Sequence, residues 1–269
     1  MKVAAYVLYL HEQLLVLLPF IIVMRKRLIA LIAGLIPAIG IAGPVYRLEG
    51  KIGGTYPVVI ELEEFDDGLY SGQYAYKSTL SKSGDVVCSW LMLNPGYRDP
   101  ANTLSARDCS IEPVESWDNV VFGGGRQLTA DMTNVRGKSY DVKATVVKHG
   151  DTSKSLLPYY KEHIGEMVYD MDMFNELSIK FRLINLLGWE TYFRLKEIYQ
   201  TQGEYEYHYS MFWGSGFMAH ECCDPAAVWA YDTNNNSFYI WMRENGSDRW
   251  WSESGNIPYK FQELVNNIF

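Results

Sequence analysis

Tyr205-Glu206-Tyr207-His208-Tyr209, then Ser215-Gly216-Phe217-Met218-Ala219-His220-Glu221-Cys222-Cys223, then Val228-Trp229-Ala230-Tyr231: this order decides the fold of the C-terminal part of the chain. Aromatic and β-branched runs fit a half-buried pleated surface, so the two flanking runs read as strands, over 204–213 and 227–232. Between them the chain concentrates one histidine, one carboxylate and two thiols in a loop. A loop held between two strands faces outward, where binding residues tend to sit. Asp232-Thr233-Asn234-Asn235-Asn236 is a turn, and a third strand is predicted over 237–243. Upstream the period changes. Phe174, Leu177, Phe181, Ile184 and Leu187 recur at three and four residues and mark one face of a helix that Gly188 can end. Thr191–Tyr199 continues with Tyr192, Leu195 and Tyr199 on one side, Gly203 closes it, and residues 258–268 read as a short terminal helix. Helical entry followed by antiparallel strands gives an α+β domain over 172–269.

Residues 43–148 follow a different pattern. Tyr56-Pro57-Val58-Val59-Ile60-Glu61-Leu62 and Leu69-Tyr70-Ser71-Gly72-Gln73-Tyr74-Ala75-Tyr76 flank Asp66-Asp67-Gly68, a strong hairpin signal. Further strands are expected at 86–93, 109–114, 120–122, 127–132 and 140–148. Gly123-Gly124-Gly125 is a turn rather than a phosphate loop, because no Lys-Ser/Thr or helix follows it. Short strands at this spacing predict an antiparallel β-barrel or sandwich, so the whole chain is mainly β plus α+β. The polar stretch from His149 to Ser155, with Pro158 and Gly165 beyond it, reads as a linker over 149–171. Glu61, Glu63, Glu64, Asp66 and Asp67 are calcium-type ligands, but their alternation with apolar residues fits a solvated strand face better. Trp241, Trp250 and Trp251 admit a sugar-stacking platform, and half-buried sheet packing fits them better.

The first 42 residues are read apart from the fold. Met24-Arg25-Lys26-Arg27, the apolar run Leu28–Ile36 and Gly40-Ile41-Ala42 have the layout of a signal peptide that starts at Met24 and is cleaved after Ala42. Residues 3–23 are also apolar, so two short membrane passes or one uncleaved anchor are the competing readings, although each run is shorter than a spanning helix needs. A cleaved leader or a single uncleaved anchor places the rest of the chain outside the cytoplasm, in the periplasm or secreted. The full chain carries 24 basic and 32 acidic residues. Removing Lys2, Glu12, Arg25, Lys26 and Arg27 with the leader leaves 20 basic against 31 acidic, a charge of −11. Such a surface disfavours nucleic acid and anionic lipid and steers toward basic partners. In an exported chain, Cys88 and Cys109 are the natural disulfide pair. Adjacent Cys222 and Cys223 would need a strained backbone to pair. No zinc-type spacing and no cofactor motif is present, so no metal and no cofactor are expected. No nucleophile elbow is present either, and a hydrolase built on His220 and Cys222 is the weakest reading.

The loop together with its helix–strand–loop–strand order resembles the inhibitor of vertebrate lysozyme (Ivy) family over residues 172–268. The family loop reads Ser-Gly-Cys-Lys-Pro-His-Asp-Cys; Ser215, Gly216, His220 and Cys222 match it, and Glu221 stands for the Asp. Phe217, Met218 and Ala219 depart from it. The resemblance implies a periplasmic, non-enzymatic protein that blocks lysozyme by inserting the loop histidine toward the catalytic carboxylates. It also implies a loop closed by a disulfide, which Phe217 removes here. The partner-binding set expected on this basis is Ser215, Gly216, Phe217, Met218, His220 and Glu221, with Trp213 and Trp229 as aromatic neighbours. A basic lysozyme-type hydrolase is the expected partner. An immunity protein against a cell-wall toxin, or a non-catalytic envelope module, are the alternatives.

Overall fold

The computed structural model describes residues 43–65, 70–80, 89–93, 107–108, 115–124, 126–134, 136–167, 172–199, 201–203, 205–219 and 224–269, all within one compact unit spanning 40–269. The chain is mostly strand, in two antiparallel sheets, with helices in the C-terminal part. The sequence-based expectation of fold class is met, with a curled half-barrel in the place of a closed barrel or a sandwich.

The first sheet is built from β1 (Pro44–Ile52), β2 (Tyr56–Glu64), β3 (Tyr70–Tyr76), β4 (Ser89–Leu93), β5 (Arg107–Asp108), β6 (Glu115–Gly123), β7 (Gln127–Asn134) and β8 (Ser139–Asp151), in the order β5-β4-β3-β2-β1-β8-β7-β6. The turn residues Asp66, Asp67 and Gly68 lie outside the described residues. The strands they connect pair from Glu64↔Tyr70 to Val58↔Tyr76, as that hairpin signal requires. Strand alternation sends Leu48, Ile60, Leu62, Trp117, Leu128, Met132 and Val142 to one buried face. The final strand runs through Asp151, so His149, Gly150 and Asp151, read from sequence as linker, are still paired with β1.

A short helix, α1 (Leu157–Glu162), leads to α2 (Leu177–Leu187) and α3 (Trp189–Ile198). Glu176 caps α2 by accepting from the Ser178 N–H, and Gly188, at φ 77°, turns the chain directly into α3. The second sheet has the order β10 (Glu206–His208), β11 (Met211–Phe217), β12 (Ala226–Asp232), β13 (Ser237–Glu244) and β14 (Ser247–Ser252), with β9 (Thr201–Gln202) also pairing β11. Strand β14 was not expected from the sequence. Every residue of β12 is buried, because helices cover both faces of this sheet. On one face Ile179, Leu183, Ile184, Tyr192 and Leu195 meet Trp229, Tyr231, Ile240 and Met242. On the other, α4 (Tyr259–Ile268) packs Phe261, Leu264 and Val265 against Val228, Ala230, Tyr239 and Trp241.

Helix α2 is also where the two sheets meet. Leu177 and Phe181 pack with Val45 of β1, and Lys180 Nζ donates to Glu61 Oε2 at 2.6 Å. Arg47 Nη1 donates to the other Glu61 oxygen at 2.8 Å, and Gln73 completes the set at 3.2 Å. Glu63, two residues along the same strand face, accepts from Asn185 Nδ2 at 2.9 Å. Glu61 and Glu63 are 1 % and 2 % exposed, which overturns their reading as a solvated strand face. The covering helix arrives from more than a hundred residues downstream, which local alternation cannot reveal. The tryptophans resolve toward packing: Trp241 is fully buried, and Trp250 and Trp251 are half-buried against the two cores of the second sheet.

Candidate functional site

The candidate binding segment connects β11 to β12. Ser215, Gly216 and Phe217, expected in the loop, belong to β11 and pair with Val228, Ala227 and Ala226. The connection therefore begins at Met218. Gly216 is required for close approach: a Cβ there would sit 2.6 Å from the Tyr199 ring. That ring is fixed. The Tyr199 hydroxyl donates toward Gly214 O at 2.9 Å and Ala227 O at 3.4 Å, one carbonyl on each strand flanking the segment. Burial holds the Tyr199 phenol well above its usual range.

Phe217 is half-buried and packs with Trp213 and Trp250 against the α4 side of the sheet. Met218 is half-buried against the opposite core, and Ala219 is exposed. Trp229, expected as an aromatic contact for a partner, is fully buried beneath Tyr160 and Tyr205 and cannot reach one. His220, Glu221, Cys222 and Cys223 lie outside the described residues, as do Cys88 and Cys109.

Both ends of the connection are tied. The Met218 N–H donates to Pro225 O at 3.4 Å, continuing the ladder by one step. Asp224 accepts from the Asn245 N–H at 2.8 Å and the Gly246 N–H at 2.6 Å, fastening the segment to the β13–β14 turn. Charge-assisted bonds of this type are the stronger class. Next to that turn Arg243 forms a two-point pair with Asp248, whose carboxyl it holds below the usual carboxylate range. Sequence reading missed Tyr199 and Asp224 as supports. The only local signals are a tyrosine closing a helix and an acid preceding a proline.

The far end of β11 carries a second feature. His208 pairs with Met211 across a two-residue turn, with Tyr209 and Ser210 both in the left-handed region, at φ 53° and 67°. Thr233 holds it through two 3.0 Å bonds to Ser210 O. Among the described residues, no group of three or more His, Cys, Asp or Glu side chains is placed to hold a metal ion. No described helix is long and apolar enough to cross a membrane.

This geometry defines an α+β domain whose central strand pair is braced on both faces and carries a short, doubly anchored connection at one end. Residues 178–269 match the model of the family described as Inhibitor of vertebrate lysozyme (Ivy), so the C-terminal region is similar to that family. No curated protein matches the chain, and no solved structure does.

Proposed function

We propose that the chain is an exported inhibitor that binds a lysozyme-type peptidoglycan hydrolase through the β11–β12 connection. The single observation that carries this reading is the family match over 178–269, which contains that connection. In this reading His220 enters the enzyme cleft and donates to a catalytic carboxylate, and Glu221 orients its ring. The adjoining exposed or half-buried residues, Phe217 and Met218, supply apolar contact at the rim, while Ser215 and Gly216 set the backbone that leads into it. Asp224 and Tyr199 take over part of the positioning that a loop disulfide would give, since holding a binding segment rigid lowers the ordering cost of association. The negative net charge of −8 favours encounter with a basic enzyme and makes it salt-dependent.

The test is binding of residues 43–269 to a panel of lysozymes at low and high salt, beside His220→Ala. Salt-sensitive binding that the substitution weakens at least tenfold, about 1.4 kcal/mol, supports the reading. Absence of binding to every member refutes lysozyme as the partner and leaves an envelope interaction module or a toxin-directed immunity protein.

A further inference from the structure

We propose that Glu63 is a proton-controlled latch between the first sheet and helix α2: it carries a proton when the seam is tight, and its ionisation loosens the seam. The argument starts from hydrogen-bond accounting. The Thr152 hydroxyl has one proton to give and stands 3.0 Å from Gly43 O and 3.2 Å from Glu63 Oε1. It also accepts from the Gly43 N–H at 2.8 Å. Shared between Gly43 O and Glu63 Oε1, that single proton cannot fully satisfy both acceptors, so an ionised Glu63 is left short of donors. Asn185 Nδ2 donates toward both Glu63 oxygens, at 2.9 Å to Oε2 and 3.2 Å to Oε1. Both neighbours are neutral, and Glu63 is 2 % exposed, so an ionised Glu63 would be a buried charge with no cation in direct contact among the described residues.

The charges nearby are committed elsewhere. On the same strand, Glu61 takes Lys180 of α2 and Arg47 of β1. At the ends of the seam, Asp151 of β8 accepts from Ser153 and pairs with Lys154, and Glu176 of the α2 cap pairs with Lys148. On the strand's other face, Glu64 accepts from the Tyr46 hydroxyl. Desolvation outweighs the Asn185 and Thr152 bonds and pushes the Glu63 carboxyl up to about 7. Being raised in the folded state, the group contributes stability that is full below its unfolded pKa of about 4.5 and is lost as pH climbs through about 7. The seam is therefore tightest under mildly acidic conditions and weakest above neutrality. This inference does not depend on what the β11–β12 connection binds.

The experiment compares the full chain with Glu63→Gln by thermal unfolding from pH 5 to pH 8. The two are expected to melt alike near pH 5 and to diverge above it. Glu63→Gln should melt roughly 5–10 °C higher by pH 8. Curves that stay parallel within about 2 °C across the range overturn the proposal. If Glu63→Gln fails to fold, infrared spectra of Glu115→Gln decide, because among the described residues Glu115 is the other glutamate that burial raises. A protonated-carboxyl band present at pH 6 and gone at pH 8 upholds the latch, and its absence at pH 6 overturns it.

Discussion

Gly216→Ala separates a residue that shapes the fold from one that touches a partner. The added methyl carbon would lie 2.6, 2.8 and 3.0 Å from three atoms of the Tyr199 ring, well inside van der Waals contact. The ring has no free direction. It packs edge-on to Phe174 with centroids 5.2 Å apart, its backbone N–H ends α3 on Leu195 O, and its hydroxyl is bonded to Gly214 O. Making room requires breaking that hydroxyl bond or spreading β11 from β12. Overpacking of this kind costs about 1–3 kcal/mol, and the lost buried hydrogen bond adds about 1 kcal/mol. Reduced freedom of the unfolded chain returns about 0.5–1 kcal/mol. The net expectation is a destabilisation of about 1–3.5 kcal/mol, read as a lower urea midpoint at unchanged slope. The double-mutant cycle makes the cause explicit: in a Tyr199→Ala background the cost of Gly216→Ala should fall below about 0.5 kcal/mol. A stable Gly216→Ala protein that nonetheless binds its partner poorly would refute the packing account and make Gly216 a contact residue.

Lys180→Met removes the buried cation of Glu61 and leaves Arg47 alone to face it, with an expected loss of about 3 kcal/mol in chemical denaturation that Glu61→Gln partly restores. A neutral single substitution would show that the seam is solvated. Tyr199→Phe keeps the ring and deletes only the hydroxyl, so about 1 kcal/mol of stability should go, and Gly216→Ala should cost about 1 kcal/mol less in that background. Asp224→Ala frees the β13–β14 turn. Because those bonds are exposed, its melting temperature should move little, while release from the enzyme partner proposed above should accelerate several-fold, as expected when a segment loses pre-organisation. Unchanged dissociation would mean that the connection is held by other means.

The two kinds of period in the chain made its elements legible. Alternation marked β2 and β3, and the three-and-four spacing from Phe174 to Leu187 marked α2. The same spacing identified only one stripe of that helix. In the folded protein Ser178, Lys180 and Arg182 are buried too, because α2 lies between two sheets rather than on the surface of one. Arg182 illustrates what a sequence conceals. Its guanidinium forks onto Glu253 and reaches Asn236, residues 71 and 54 positions away, neither of which has any local feature pointing back to it. The acidic row of β2 was misread for the same reason, since its cover comes from α2. The candidate segment is singled out in the sequence by its chemistry, His220 beside Glu221 and two thiols, but that chemistry does not mark where the strand ends. Ser-Gly-Phe reads as loop because small residues favour turns, and it forms strand because Tyr199 needs a residue without a side chain above its ring.

The shared helix has a consequence for where the chain can be cut. The family match begins at Ser178, one residue into α2, and the sequence alone places a linker before residue 172. Yet Leu177 and Phe181, at 1 % and 2 % exposure, have their core partner, Val45, in β1, and the Lys180 ammonium has its partner in β2. A fragment 172–269 would return both large apolar side chains to water, at about 1.5–3 kcal/mol each. It would also leave Lys180 free to solvate, which removes the ion pair without stranding a charge. The expected result is a fragment that keeps α2, α3 and α4 on the second sheet, loses the Tyr160 cover over Trp229 and Tyr231, and unfolds at clearly lower denaturant than the full chain. Protection of α2 amides from hydrogen exchange should be lost well before that of β12. Equal stability of fragment and full chain would mean that the first sheet only rests on α2, and that the two parts act as independent modules.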